Sequence, residues 1–278
     1  MSYVISLSTI PSRFALMRPT LEMLVRQRPA PEAVVLYLPR RYRRFPDWDG
    51  ALPDVPRGVE IRVVDEDFGP ASKVLHALRE FAGTQTDILF CDDDMCYRPG
   101  WAAAFLKARR KQPGAVIALS GMPVTSYHPA AAPTGFLPRA RLHWRATDPE
   151  FALRSWWIRW RARNPDYPLI GPGRRAYWKA GHADIFEGYA GVMVRPDFFA
   201  PEVFDIPDVA RHVDDVWLSG MATVKGTPIW VPAFQREPDL LRGAHSDALH
   251  LGTHQGQDRR AQNRGAVEYL QARYGIWT

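Results

Sequence analysis

An apolar run that stops on three consecutive carboxylates, Ile88-Leu89-Phe90-Cys91-Asp92-Asp93-Asp94, constrains this chain more than any other segment. Thr86 to Phe90 reads as a short buried strand. Upstream, similar runs alternate with amphipathic stretches. Tyr3 to Leu7 and the valine-rich Ala33 to Leu38 read as strands flanking a helix from Phe14 to Gln27. A loop rich in proline and charge, Arg40 to Arg57, leads to a strand at Val59 to Val64 and a helix from Pro70 to about Phe81. Strands separated by helices form βαβ units, which place the strands in parallel and the helices on the sheet faces. In such sheets ligands bind outside the carboxyl ends of the strands, and Asp92 to Asp94 occupies such an end.

The pattern continues through a helix at Pro99 to Lys111 and a strand at Ala115 to Ser120. It then breaks across Met122 to Lys179, which is rich in proline, arginine and tryptophan. Order returns with a strand at Gly188 to Val194, a helix at Asp214 to Lys225, a strand at Pro228 to Val231 and a closing helix near Gln257 to Tyr274. One α/β domain spanning 1–278 is expected, with a mostly parallel central sheet flanked by helices and residues 122–180 as an insertion or lid. The two cysteines, Cys91 and Cys96, match neither a disulfide framework nor a pair of zinc-binding CxxC units and are expected to pack locally.

Three adjacent carboxylates repel one another unless a cation is present. Hard oxygen ligands suit magnesium, calcium or manganese, and a magnesium-type ion completes its shell with water and substrate phosphates, so a diphosphate substrate is expected. The plain alternative is that Asp92 to Asp94 caps the next helix. A second acidic site, His212-Val213-Asp214-Asp215-Val216-Trp217-Leu218, opens the predicted helix at Asp214. It suits a general base as well as a helix-dipole role. The net charge of +6 favours an anionic partner.

These segments resemble the GT-A-fold nucleotide-sugar glycosyltransferases, closest in style to the inverting family 2 enzymes. The carriers are Ser8-Thr9-Ile10-Pro11-Ser12-Arg13-Phe14, Gly69-Pro70-Ala71-Ser72-Lys73, Leu89 to Asp94 as the DXD motif, Glu187-Gly188-Tyr189-Ala190-Gly191 and Asp214 to Leu218, in the family's order. The resemblance implies a GT-A (Rossmann-like) fold with a nucleotide-binding half at 1–121 and an acceptor-side half and tail at 181–278. It implies that Asp92 contacts the ribose and Asp94 the metal, with Asp93 in either role. Asp215 is the expected base, with Asp214 left open because this chain has Asp where the family has Glu. Thr9, Arg13 and Lys73 are expected beside the nucleotide, and Gly188, Tyr189 and Gly191 beside the sugar. His245 or His254 would complete the metal shell, favouring Mn2+ over Mg2+.

The resemblance further implies a UDP-sugar donor, a carbohydrate or glycolipid acceptor, inversion at the anomeric carbon and a place in bacterial surface polysaccharide synthesis. Direct nucleic-acid binding lacks a recognisable module, and no specific nucleic-acid partner is expected. A cytoplasmic location is expected, with room for peripheral contact at the inner face of the membrane. The basic, aromatic stretch Leu153 to Arg163 suits a membrane interface, an acceptor-binding lid or a helix that packs its tryptophans inward. Two rival functions remain: a nucleotidyltransferase, disfavoured because Ser8 to Phe14 contains no glycine, and a non-catalytic binder of anionic glycans or lipids. A phosphatase of the haloacid dehalogenase type is disfavoured because Cys96 stands where its motif wants threonine or valine.

Overall fold

The computed structural model describes residues 2–243 and 259–278. Its centre is an eight-stranded sheet: β1 (Tyr3–Ser8), β2 (Ala33–Pro39), β3 (Val59–Val64), β4 (Asp87–Phe90), β5 (Val116–Ala118), β6 (Gly181–Ala183), β7 (Val192–Val194) and β8 (Ile229–Val231). The strand order is β6-β8-β5-β7-β4-β1-β2-β3. β4, β1, β2 and β3 run parallel to one another, as do β8 and β5. β7 is antiparallel to β4 and β5, and β6 to β8. The expected α/β architecture with a mostly parallel sheet is therefore present.

Alternation along each strand divides the core into two layers. Val4, Val35, Tyr37, Ile88 and Phe90 face one side, against α2 (Ser72–Glu80), α5 (Asp214–Lys225) and α6 (Arg259–Tyr274). Ile5, Leu7, Val34, Leu36 and Leu89 face the other, against α1 (Arg18–Val25) and α3 (Trp101–Lys111). Burying both faces explains why these strands read as continuous apolar runs.

Two elements differ from expectation. The first helix covers only Arg18–Val25, because Pro19 fits only a first turn and Pro11–Arg13 forms a separate 3-10 turn. The strand expected from Gly188 is confined to Val192–Val194. Gly188–Ala190 forms a 3-10 turn, and Gly191 follows at φ +95°. A Cβ at Gly191 would lie 2.2 Å from the Trp101 ring and 2.9 Å from that of Phe105. Gly191 is thus required by packing and by its positive φ inside the core. Gly191→Ala is expected to cost about 2–4 kcal/mol in urea denaturation, combining overpacking with left-handed strain.

Residues 122–180 carry short ribbons (Arg141–Leu142 with Tyr177–Lys179) and helix α4 (Pro149–Arg161), capped by Asp148, whose carboxylate accepts from the Phe151 amide at 3.0 Å. α4 docks through buried Ile158 and through Arg154, which donates to Asp239 at 2.7 Å. Trp156, Trp157 and Trp160 are exposed, so the inward-packing arrangement is not adopted. Cys91 and Cys96 are free thiols, Cys91 in the core. No helix among the described residues is long and apolar enough to cross a membrane.

Candidate active site

The sheet reverses its order between β1 and β4: β2 and β3 lie to one side of β1, and β4 to the other. The crevice outside such a switch point is where open α/β sheets bind ligands. The β1 carboxyl end delivers Thr9 and Arg13, and the adjacent β4 end delivers Asp92, Asp93 and Asp94. The N-terminal turns of α2 and α5 add Lys73, Asp214 and Asp215 at the same edge.

Two ionic clusters result, joined by the triplet. In the first, Arg13 pairs with Asp93 at 3.1 Å and with Asp94, and Thr9 donates to Asp93. The Tyr42 hydroxyl donates to the Thr9 carbonyl at 3.0 Å and fixes that loop. Burial pushes the Asp93 carboxyl up to about 6 although Arg13 opposes the shift. Burial and Asp92 likewise raise that of Asp94.

In the second cluster, Lys73 donates to Asp92 at 2.7 Å and pairs with Asp214 at 3.0 Å. Its side chain is 8% exposed. Burial alone would lower its pKa, but Asp214, Asp92 and Asp215 together hold it well above the ordinary lysine range. Asp215 accepts from the Gly188 amide through both carboxylate oxygens, at 3.1 Å each. Burial, and next the charge of Asp214, push its carboxyl up to about 8. The α5 N-cap is Val213, with no side-chain cap, so neither aspartate serves as the hydrogen-bonding cap. A Cβ at Gly188 would lie 2.9 Å from both Asp215 Oδ1 and Lys73 Nζ, so glycine there is required by the site itself. Gly188→Ala is expected to displace the Asp215 carboxylate and lower activity at least about tenfold, with little loss of thermal stability.

Five carboxylates thus face two cations at this edge. That surplus fits a further cation, and Asp92 and Asp94 retain 32% and 18% side-chain exposure. Among the described residues no group of three His, Cys, Asp or Glu is arranged to hold a metal ion. Asp92 and Asp94 are the two carboxylates here that could hold a divalent ion, whose shell phosphate and water would have to complete. His245 and His254 lie outside the described residues.

Tyr189 belongs to an adjoining cavity of about 260 Å3, lined by Ser120, Glu187, Glu237, Arg174, Phe151 and Leu142 among others. The Tyr97 hydroxyl donates to the Tyr189 and Asp92 carbonyls, each at 3.1 Å, tying this wall to the triplet. Ser120 donates to Glu187 at 2.6 Å. Burial raises the Glu187 carboxyl, and burial with the charge of Glu187 raises that of Glu237. Sequence reasoning did not assign Ser120, Glu237 or Arg174. Of these only Ser120, a polar residue at a predicted strand exit, carried a signal.

No family model and no curated protein matches the chain. Among solved structures, it is similar to a crystal structure of Staphylococcus aureus TarS 1–349, with 12% identity, 86% of this chain and 60% of that one covered, and a TM-score of 0.42. It is similar to TarS at 11% identity, 88% and 37% coverage and a TM-score of 0.42. A third match, TarS 1–349 in complex with UDP, has 15% identity, 86% and 60% coverage and a TM-score of 0.41. The chain spans 60% or less of the length of these proteins.

Proposed function

We propose that this chain transfers a glycosyl group from a nucleotide sugar to an acceptor hydroxyl. The observation that carries the reading is the convergence of Arg13, Lys73, Asp92, Asp94, Asp214 and Asp215 on the carboxyl edge of the sheet at its β1–β4 switch point. The ligand assigned to that crevice in this reading is a nucleoside diphosphate.

Lys73 donates one ammonium proton to Asp92 and pairs ionically with Asp214, which leaves a proton for a phosphate oxygen. Arg13, always charged, adds a planar donor that can hold a diphosphate. Asp214 neutralises and orients Lys73, which leaves Asp215 as the base. A carboxylate with a pKa near 8 accepts a hydroxyl proton far better than an exposed aspartate. The Gly188 amide holds that carboxylate in one orientation. Asp92 and Asp94 would hold a divalent ion, Mn2+ by preference. Such an ion would offset the negative charge that grows on the departing diphosphate.

The cavity walled by Tyr189, Glu187 and Glu237 adjoins Gly188 and suits a hydroxylated ligand, since buried carboxyls accept or donate hydrogen bonds to sugar hydroxyls. The likeness to family 2 glycosyltransferases adds a UDP-sugar donor, inversion, and a carbohydrate or glycolipid acceptor of the bacterial surface to this reading.

Thermal stability against a panel of nucleoside diphosphates and nucleotide sugars, with and without Mn2+, tests it. One base is expected to raise the melting temperature by about 5 °C or more near saturation, and only with metal. No shift with any nucleotide at millimolar concentration would remove the transferase reading and favour a non-catalytic glycan-binding role.

A further inference from the structure

The proposed transferase site leaves unexplained the most exposed apolar surface among the described residues. Of the large hydrophobic side chains exposed among the described residues, Leu137, Leu142, Trp144, Leu153, Trp156, Trp157, Trp160 and Trp178 all lie in residues 122–180. Tryptophans at that density are costly in water unless something covers them.

On α4 the arrangement is regular. Leu153, Trp157 and Trp160 recur at helical spacing, and Trp156 lies four residues before Trp160. Ile158 and Arg154 hold the opposite side to the body of the protein. A groove along α4 is lined by Trp156, Trp160, Arg159 and Arg163, with Phe151 at one end. Phe151 also lines the cavity beside Tyr189, so the groove and that cavity meet at this side chain.

Charge selects the partner. Residues 122–180 contain ten Lys and Arg against three Asp and Glu, a net +7 on a chain whose total is +6. The remaining 219 residues carry a net −1, so the basic character of the protein resides in this segment. Two of its three acidic residues are held by arginines, Asp148 by Arg174 and Glu150 by Arg175 and Arg236, so Asp166 is the segment's remaining carboxylate opposite the exposed arginines of α4. Tryptophan bodies with arginine heads between them match the boundary between lipid headgroups and acyl chains. Each basic residue adds attraction to anionic lipid.

We propose that α4 and its flanking tryptophans seat this chain on an anionic membrane surface, with the groove at Phe151 opening from that surface toward the cavity. The surface is independent of the catalytic reading and stands or falls separately.

The test is co-sedimentation of the full chain with phosphatidylcholine vesicles with and without phosphatidylglycerol, alongside tryptophan fluorescence. Binding is expected only to vesicles containing phosphatidylglycerol, with a blue shift in emission and a loss of binding as salt rises. The variant carrying Trp156→Ala, Trp157→Ala and Trp160→Ala is expected to bind at least about tenfold more weakly with an unchanged melting temperature. The variant carrying Arg159→Glu and Arg163→Glu is expected to lose the preference for anionic vesicles. Absence of binding at low salt, or wild-type binding by the tryptophan variant, would overturn the proposal. So would a wild-type dimer in size-exclusion chromatography that the tryptophan variant converts to monomer, because a second copy would then cover the face.

Discussion

Asp215→Asn is expected to lower kcat/KM by about 10^2–10^4 while leaving nucleotide binding intact, the loss typical of removing a general base. The amide keeps the shape and still accepts from the Gly188 amide, but it cannot take a proton. In the wild type, kcat/KM is expected to rise as pH increases through about 8, because Asp215 must be deprotonated to act. The same substitution should stabilise the fold. The Asp215 carboxyl is raised from 3.8 to about 8 on folding, so between those values the native state binds more protons than the unfolded one. Stability from this group therefore falls as pH rises across that window, and asparagine abolishes the fall. Thermal melts at pH 5 and pH 8 should show the variant gaining on the wild type at the higher pH. An unchanged activity, or a variant that loses ground as pH rises, would remove Asp215 from the role of base.

Lys73→Met is expected to destabilise the protein by about 3 kcal/mol at neutral pH, because it strands Asp214 and Asp92 without their cation in a buried setting. Adding Asp214→Asn to Lys73→Met should recover part of the loss, and urea denaturation of the four-member cycle measures the coupling. Additive effects would show that the two residues act independently.

The βαβ half was legible because its strands are buried on both faces and appear in sequence as unbroken apolar runs. The carboxylates stood out because they follow such a run. What the sequence did not disclose was their pairing. Arg13 and Lys73 lie far from one another in the chain; the adjacency of β1 and β4 brings Asp93 to Arg13, and the packing of α2 against those strands brings Lys73 to Asp92. Gly188 and Gly191 look alike in sequence, yet one clears space for Asp215 and the other for Trp101. Glu237 is brought beside Glu187 by a loop that carries no periodic pattern, so nothing local marked it. The tryptophans of α4 have helical spacing in the sequence, but whether that face turns inward depends on Ile158 and Arg154 docking the opposite side.

Calorimetric titration of UDP into the wild type and Asp94→Ala, each with and without Mn2+, tests the central claim most directly. Mn2+ is expected to tighten UDP binding to the wild type by about tenfold or more, a coupling of about 1.4 kcal/mol, and Asp94→Ala to abolish the difference. Equal affinity with and without metal, or metal coupling that survives in Asp94→Ala, would contradict a nucleotide diphosphate and metal site at the end of β4.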